Sequence, residues 1–421
     1  MTNLDPYAGD ATSLEMKGPV VVLLMIFLLV PGISRGDSAA VLPRGVTRLA
    51  LDSKFYFPVR QYYDRRGHIE NLGTDYSATL GSNVFHEVAL LEAGFGMPWG
   101  SAAIGRSEVS MKYQFTTTDV SVQYGLTDRL SVGASLTLST IRNRVTARID
   151  TSAATLGINP DLGTSQDRYG TPLIPVTEGG IRDDTLAAGL VQDLLIREYG
   201  YRRIQSWSGS GLGDLEAGAR YQYRKTPNWR LAYSGGLRFP TGQTDDPDSL
   251  VDWPVGDGNY AILLRMHADW TGIENLVLNL TCAYDLTLPG RETMRLPKDM
   301  DQPITANRET VHRDPGDGFS ADVTASYRFS ERASSFITYS YSRMLQDRIS
   351  GNCGFDYHEL ESGSGGLGQV IRLGITLSFT NLYKQGRFPL PVDFHLTYRE
   401  RFAGKNFLKS RYLGVGADCF F

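Results

Sequence analysis

The sequence predicts an all-β protein, a transmembrane antiparallel β-barrel of about fourteen strands, between twelve and sixteen, with long extracellular loops. Long segments near the C-terminus alternate between apolar and polar residues. Short turns and long loops follow each other along the chain. An apolar run near the N-terminus has the layout of a signal peptide.

The C-terminal segment gives the clearest strand pattern. Counting back from the last residue, every second position is apolar: Phe421, Cys419, Ala417, Val415 and Leu413. Residues 371–379 and 392–398 alternate in the same way. Strands of soluble sandwiches average about five or six residues, whereas these patterns last for about nine to eleven, the length that crosses a bilayer at a tilt.

The aromatic C-terminal residue lies on the apolar phase of the last strand, which resembles the C-terminal signature of bacterial outer-membrane barrels. This resemblance implies the barrel-assembly machinery as a partner, bound through the last strand. Gly and Tyr are plentiful, at 45 and 22 residues, as turns and aromatic girdles require. A net charge of -4 without a basic run gives no reason to expect a nucleic-acid partner.

The N-terminus predicts export to the bacterial outer membrane. Met16 and Lys17 precede an apolar run over 20–30, and the small residues Ser38, Ala39 and Ala40 follow. We therefore assign residues 1–40 to an N-terminal extension and a cleaved signal peptide, with translation starting at Met16, and residues 41–421 to the barrel. The alternative is an uncleaved amphipathic anchor, although the run is apolar on all sides.

Strands are predicted in chain order from the same alternation. In the first part they cover 48–57, 85–95, 109–115, 120–124 and 130–138, with turns at 96–100, 116–119 and 125–128. Residues 111–124 could instead form one bent strand. The later strands are centred near 217–223, 231–239, 262–270, 276–286, 323–329 and 337–341, followed by the three C-terminal ones.

The connections predict which ends of the strands face the periplasm. Short turns at 224–228, 271–274, 330–333 and 381–391 lie on one side. Long loops at 143–209, 242–258, 289–317 and 345–366 lie on the other. Short periplasmic turns and long outer loops are typical of bacterial barrels, and an even strand count places both termini in the periplasm.

Three motifs carry a family resemblance. Gly211-Leu212-Gly213-Asp214, Phe239-Pro240-Thr241-Gly242 and the earlier Tyr124-Gly125-Leu126-Thr127-Asp128-Arg129-Leu130 resemble recurring motifs of the outer-membrane family labelled as phenol-degradation meta-pathway proteins, and of related barrels. The resemblance implies passage of hydrophobic or aromatic compounds across the outer membrane. The chain departs from the family in its insertion at 150–205 and its loop at 289–317.

The same motifs also have a purely structural interpretation. Pro240-Thr241-Gly242 ends a strand and opens an exposed loop. The acidic run at 245–248 could bind calcium or bridge through it to lipopolysaccharide, but it lacks the alternating ligands of a calcium loop. Gly211 and Gly213 are not a nucleotide motif, because no helix follows. We assign no metal site and expect no cofactor; the three cysteines are interpreted as free structural thiols.

The polar phases of the strands should line the barrel if the apolar phases face lipid. Both charge signs are present, so the lining could be a stabilising charge network, a solvated pore wall or a substrate path. The predicted lumen-lining residues are Asp214, Glu216, Arg220, Arg238, Arg265, His267, Asp269, Asp285, Asp322, Arg372, Asp393, His395 and Arg399.

One helix is predicted within the long insertion at 150–205. Residues 186–204 carry an apolar stripe that includes Leu190, Leu194 and Tyr201, beside charged residues. Folded inward, this helix would gate the barrel; folded outward, it would cap a loop or rest on the outer leaflet. We expect the inward arrangement, with Gly209, Gly211 and Gly213 supplying a hinge at positive φ.

The function that these expectations favour is a channel for passive uptake of small hydrophobic or aromatic compounds. A structural or adhesion barrel is the first alternative, and an outer-membrane lipid hydrolase is the second. The histidines are scattered, and only His267 and His395 share a lining phase, so no catalytic residues are assigned. The expected partners are outer-membrane lipid, lipopolysaccharide and a small hydrophobic or aromatic solute.

Overall fold

The computed structural model describes residues 38–296, 304–354, 357–361 and 363–421. Its main sheet has fourteen antiparallel strands, twelve of which close into a barrel. The twelve are β1 (Thr47–Tyr56), β2 (Ala103–Thr127), β3 (Leu130–Asp150), β4 (Leu215–Lys225), β5 (Trp229–Phe239), β6 (Ala261–Ile273), β7 (Leu276–Thr287), β8 (Gly318–Arg328), β9 (Ala333–Met344), β10 (Gly366–Ser378), β11 (Val392–Lys405) and β12 (Arg411–Phe420).

The barrel closes where its first strand meets its last. β1 pairs with β2 on one side and with β12 on the other, from Arg48 opposite Phe420 to Tyr56 opposite Tyr412. The backbone N–H of Thr47 donates to the carbonyl oxygen of Phe421, and the reverse bond also forms, both at 2.9 Å. Closure leaves no strand edge in the ring, and a bilayer interior requires this because it offers backbone groups no other partner.

Two strands extend the sheet outside the closed ring. Thr79–Gly81 pairs with the tip of β2, and Trp207–Leu212 pairs with β3. Shorter strand pieces in the loops are Gln61–Tyr63, Ile69–Asn71, Leu156–Ile158, Leu173–Pro175, Gly290–Arg295, Arg308–Asp314, Arg348–Ser350 and Phe407–Leu408. The helices are α1 (His86–Phe95), α2 (Asp184–Arg197), α3 (Tyr357–Glu361) and α4 (Thr380–Lys384), with 3₁₀ turns at Thr74–Tyr76 and Val176–Glu178.

The predicted fold class is confirmed. The barrel is antiparallel, the sheet has about fourteen strands, and the ring itself holds twelve. Short turns and long loops lie on opposite ends, as expected. Within the described part of the chain, no helix is long and apolar enough to cross a membrane. The predicted signal peptide lies outside the described residues, except for Ser38–Ala40.

The predicted strand over 85–95 is wrong, because this segment is helix α1. Its alternating apolar residues coincide with a helical stripe in which Val88, Ala89 and Glu92 are buried. Gly96 ends the helix at φ 64°. Buried Glu92 accepts hydrogen bonds from the backbone N–H groups of Gly100 and Ala102, which holds the next segment against the helix.

The predicted turn at 116–119 is also wrong, because β2 is one strand of 25 residues. Its apolar phase switches sides at these residues. Val120 and Val122 point outward and are each 43% exposed, whereas Met111, Tyr113 and Phe115 point into the barrel and are buried. Below the switch the outside faces lipid; above it, the outside faces water.

The neighbouring strand β3 switches at the same level. Leu138 points outward and is exposed, but the next outward positions are polar, and Ile141 on the inward phase is buried. A bilayer needs only about ten residues of tilted strand, so the upper parts of β2 and β3 stand clear of it. An inversion of the apolar phase in the sequence therefore marks the outer membrane surface, not a turn.

This interpretation predicts different tolerance to charge along one face of β2. Val122→Arg should destabilise the folded barrel by about 2–4 kcal/mol, because it places a guanidinium in the lipid band. Gln114→Arg, which lies on the same outward phase above the switch, should change the free energy of unfolding little. Denaturant unfolding of both variants in phospholipid vesicles measures this, and equal losses would contradict the assigned membrane level.

Candidate transport pathway

The two faces of the barrel wall differ in chemistry. The outward phase carries apolar side chains that are about half exposed, among them Leu264, Met266, Val323, Ile375, Leu396 and Val415. The inward phase carries buried polar side chains, among them Glu216, Arg238, His267, Asp269, Arg372 and His395. The polar groups face one another across the lumen, where they form hydrogen bonds and ion pairs.

The lumen holds a stretch of the chain that precedes β1, near the periplasmic end of the barrel. This lumen segment comprises residues 38–42. Ser38 Oγ donates to Asp269 at 2.7 Å, and the Ala39 N–H donates to the other oxygen of that carboxylate at 3.0 Å. Gln222 donates to the Ala39 carbonyl at 2.7 Å, and Arg220 donates to the Ser38 carbonyl at 2.8 Å. Ala39 and Asp269 are both fully buried.

The turn between β2 and β3 anchors the other end of the lumen segment. The N–H of Gly125 donates to the Val46 carbonyl, and the Gly125 carbonyl accepts from Gly45 at 2.8 Å. Asp128 accepts from the Arg44 N–H at 3.1 Å. A Cβ at Gly125 would collide with the Pro43 carbonyl oxygen, so glycine is needed for this approach. The family motif at 124–130 thus binds the residues that lead into β1.

A cation surrounded by carboxylates occupies the upper half of the lumen. Arg238 pairs with Glu216 at 2.9 Å, with Asp257 at 2.8 Å and with Asp285 at 3.5 Å. Glu216 is on the adjacent strand β4, Asp285 is on β7, two strands away, and Asp257 belongs to residues 240–260, the loop between β5 and β6. Since the guanidinium is only 7% exposed, removing it would leave buried carboxylates without compensation.

The other two family motifs meet at the base of that same loop. Asp214 accepts hydrogen bonds from the N–H groups of Gly242, at 2.9 Å, and of Asp257, at 2.8 Å. A Cβ at Gly242 would lie 2.6 Å from the Cα of Gly256, so the two sides of the loop touch. The hydroxyl of Thr241 donates to the Gly213 carbonyl at 3.2 Å. These motifs therefore bind both ends of the loop where it leaves the barrel wall.

Residues 240–260, the inserted loop, fold into the upper barrel. The Val251 carbonyl accepts from Trp207 Nε1 at 2.5 Å, from Asn143 Nδ2 at 3.0 Å and from the Tyr113 hydroxyl at 3.3 Å. The Trp253 ring lies 5.3 Å from the Tyr113 ring. A buried aromatic cluster results, consisting of Tyr56, Tyr113, Phe115, Trp253 and Tyr412.

Arg295 joins the inserted loop to two other extracellular loops. Its guanidinium is bonded to Asp248 at 2.7 Å and donates to the carbonyls of Tyr199 at 2.6 Å and Thr305 at 2.8 Å. It also stacks 3.9 Å from the Tyr201 ring. Arg308 forms a second ion pair with Asp248, so this acid is committed to internal partners. Within the described ranges, no group of His, Cys, Asp and Glu suits a metal ion.

The helix predicted over 186–204 forms as α2 but ends at Arg197, so Tyr201 lies beyond it; α2 packs in an extracellular cap. Its buried residues Ala187, Val191 and Leu195 join a cluster with Phe85, Val88 and the strand tips at Ile104 and Ile149. Leu190 and Leu194 pack against this cluster, and Tyr201 is buried within it. The segment that the structure places within the upper barrel is the inserted loop. Whether α2 acts as a gate stays a prediction.

The expected glycine hinge after α2 is wrong. Gly209 and Gly211 belong to the extended strand Trp207–Leu212, which pairs with β3. Neither they nor Gly213 are among the described glycines with positive φ. Strand pairing on the free edge of β3 requires extended backbone. Gly211 serves close approach to the inserted loop, since a Cβ there would lie 3.2 Å from Val255.

The remaining predicted lumen residues are distributed over the wall. Arg265 and Arg220 line a cavity of about 320 Å³ beside the lumen segment, with Arg48, Gln123 and Leu263. Arg372 is buried in β10 and Asp322 is half-buried in β8. Asp393 accepts from Thr380 in the periplasmic turn at 3.2 Å, and Arg399 donates to Ser410 near the outer rim at 3.4 Å.

The two lining histidines lie in separate networks. His395 bonds to Asp52 of β1. His267 bonds to Ser234 at 2.8 Å through Nε2 and to the Thr281 hydroxyl at 3.1 Å through Nδ1. Ser234 also accepts from Arg220 at 3.0 Å. A triad places a carboxylate against the second imidazole nitrogen, whereas here a hydroxyl occupies that position.

Sequence reasoning missed the inserted loop and the Arg295 junction. The signal for the loop is an apolar run, Leu250-Val251-Asp252-Trp253-Pro254-Val255, inside an otherwise polar connection. A second signal is the inward apolar phase of upper β2, which needs a covering partner. Arg295 has no comparable signal, because its acceptors are mostly backbone carbonyls of distant loops.

Two carboxyl groups of the inserted loop have raised pKa values. Burial, followed by the nearby charges of Asp252, Glu292 and Asp246, raises the pKa of Asp245 from 3.8 to about 7, against a lowering influence of Arg313. Burial and Asp246 raise the pKa of Asp252 to about 6, although its hydrogen bond from the Asp246 N–H and the charge of Arg202 act in the opposite direction.

Comparison with known proteins supports the family resemblance. A family model described as "Putative MetA-pathway of phenol degradation" matches residues 173–382. Two of the three motifs, at 211–214 and 239–242, lie inside the matched range. The resemblance inferred from the motifs is thereby confirmed. No curated protein sequence matches the chain significantly.

Solved structures confirm the barrel fold. An outer-membrane channel from Pseudomonas putida F1 superimposes with a TM-score of 0.52 at 13% identity, covering 92% of this chain and 100% of that one. A FadL homologue from Pseudomonas aeruginosa is more distant, with a TM-score of 0.32 at 10% identity over 91% of this chain and 90% of the other. The likeness to the Pseudomonas putida channel shows that the chain has the fold of an outer-membrane β-barrel.

Raised pKa values predict that acid favours insertion of the loop. A carboxyl whose pKa is raised in the inserted state stabilises insertion below its ordinary pKa of 3.8, and this stabilisation is lost as the pH rises through 6 to 7. Conductance in planar bilayers should therefore be lower at pH 5 than at pH 8. Asp245→Asn with Asp252→Asn should abolish the difference, while an unchanged pH profile would refute it.

Contacts of the lumen segment predict where the signal peptide ends. Cleavage after Ala40 would remove two of the donors to buried Asp269 and leave Asn279 and Arg230 as its partners, so we expect the mature chain to retain Ser38 and Ala39. N-terminal sequencing of protein purified from outer membranes measures this. Asp269→Asn is the control, since it weakens the contact without changing the cleavage sequence. A mature chain that begins at Val41 would contradict the expectation.

Proposed function

We propose that this chain, an outer-membrane barrel whose residues 173–382 match the phenol-degradation family, is a channel for passive uptake of small hydrophobic or aromatic compounds. One observation carries the proposal. The inserted loop covers an aromatic cluster of Tyr56, Tyr113, Phe115, Trp253 and Tyr412 in the upper barrel, and a shift of that loop would expose the cluster to the lumen. A pore for hydrophilic solutes would not need this surface, whereas stacking and desolvation favour flat apolar solutes there.

The cavity below the cluster fits the same solutes. Its volume of about 320 Å³ is at the lower end of ligand sites and suits one small ring. Leu263 and Phe420 supply apolar contacts, while Gln123 and Ser121 offer polar groups. A phenolic hydroxyl could therefore be hydrogen-bonded while the ring remains in apolar contact.

Chain segments obstruct the path near both ends. The lumen segment lies toward the periplasm, and the inserted loop lies toward the outside. A solute of ring size passes only when both of them shift, which describes a gated channel. We further propose that α2 and the segment that follows it contribute to gating by holding the cap over the inserted loop, through Tyr201 and its contact with Arg295.

Selectivity of uptake tests the proposal. Cells or proteoliposomes with the native chain should take up phenol or toluene faster than a sugar, and Trp253→Ala should reduce this ratio about fivefold, because one aromatic contact is worth about 1 kcal/mol. Trp253→Phe, which keeps a ring, is the matched control.

Deletion of residues 186–204 should leave the barrel folded and raise conductance; unchanged conductance would refute the role of α2.

Two alternatives make different predictions in the same assay. Equal uptake by a knockout strain and its parent would refute the channel and favour a structural or adhesion barrel. Lipid hydrolysis that is lost in His267→Gln or His395→Gln would favour the hydrolase. Ser234 beside His267 is the only specific feature among the described residues that recommends the enzyme, and the Thr281 contact argues against it.

Export and assembly complete the proposal. We infer that a cleaved signal peptide directs the chain across the inner membrane, as the apolar run over 20–30 suggests. The barrel-assembly machinery would then engage β12, which ends next to the aromatic Phe421. Outer-membrane lipid would cover the exposed apolar phase.

A further inference from the structure

We propose that the outer rim of the barrel binds a phosphate group of lipopolysaccharide, at the lipid A headgroup. The site is a pocket where the upper ends of β1, β11 and β12 meet. We call it the rim site; its lining consists of Phe57, Pro58, Arg60, Gln61, Asn71, Glu400, Arg401, Lys409, Ser410 and Arg411.

The rim site is positively charged in a chain that is acidic overall. Arg60 and Arg411 are exposed and Lys409 is half-buried, while Glu400 is the only carboxylate of the lining. Glu400 already accepts a hydrogen bond from the Tyr398 hydroxyl at 2.8 Å. Across the described ranges, no ion pair within 4.0 Å involves Arg60, Lys409 or Arg411. Arg401, 4% exposed, lies buried behind them.

Backbone pairing holds these cations on a rigid support. The Phe57 N–H donates to the Arg411 carbonyl at 3.0 Å, and the Lys409 N–H donates to the Gln61 carbonyl at 3.0 Å. The Arg60 carbonyl accepts from Leu72 at 2.8 Å. The three side chains therefore project from adjacent, mutually bonded segments, and less conformational entropy is lost on binding than with charges on a mobile loop.

The level of the rim site relative to the bilayer selects the partner. Arg411 lies directly above lipid-facing Leu413, and its guanidinium is 5.1 Å from the ring of Phe57. Phe55, one step below Phe57 on the outward phase, is half exposed. The cations thus stand where the apolar band ends on the long-loop side. In the outer leaflet this is the level of the phosphorylated sugars of lipid A, and a pair of arginines suits a phosphate group.

Native mass spectrometry of the full chain in detergent tests the proposal. The probes are diphosphoryl lipid A, its dephosphorylated form and inorganic phosphate. We expect the triple variant Arg60→Gln, Lys409→Gln, Arg411→Gln to bind diphosphoryl lipid A about tenfold or more weakly than the native chain, since clustered basic residues dominate attraction to anionic lipid. Loss of the lipid phosphates should have a similar effect.

A matched variant controls for general charge loss. Arg224, Lys384 and Arg387 are exposed at the short-turn end of the barrel, opposite the rim site. Their replacement by Gln should leave lipid A binding unchanged. Equal weakening in both variants, or equal binding of the dephosphorylated lipid, would overturn the proposal. Full competition by inorganic phosphate at equal concentration would show a free phosphate site instead. Heat-modifiable gel mobility confirms that each variant is folded.

Discussion

Pairing of the first strand with the last is the constraint on which the rest of this structure depends. A bilayer interior offers no partner for backbone N–H and C=O groups, so a sheet within it has to close on itself. Here closure joins β1 to β12. It fixes an even number of strands in the ring, brings both ends of the barrel domain to the side of the short turns, and leaves one set of side chains for lipid and the other for the lumen.

Closure also creates an interior that has to be filled. The chain fills it with its own segments, the lumen segment near the periplasm and the inserted loop toward the outside. Neither is held by burial alone. The Asp269 carboxylate accepts hydrogen bonds from N–H and hydroxyl groups of the lumen segment. The Asp214 carboxylate accepts hydrogen bonds at the base of the inserted loop. Charged side chains inside the barrel thus hold movable elements as well as stabilise the wall.

Strand length and membrane thickness together explain the outer half of the molecule. The 25 residues of β2 exceed what a bilayer requires, so its upper part has water outside and protein inside. Apolar residues there turn inward and need cover, which the inserted loop and the cap helices provide. The same geometry ends the apolar band near Arg411 and places exposed cations where lipid headgroups begin.

The sequence alone determined the parts that depend on local periodicity. Alternation from Leu413 to Phe421 and its repeats predicted an antiparallel membrane barrel, and the short turns predicted its orientation, because side-chain direction follows residue number within a strand. Tertiary structure decided the rest. Contacts across the wall decided whether the apolar phase of 109–115 faced lipid or lumen. They also decided whether 85–95 was strand or helix, and which loop entered the barrel. Residues such as Arg295 and Asp214 act on loops far away in the chain, and spacing along a sequence does not encode such contacts.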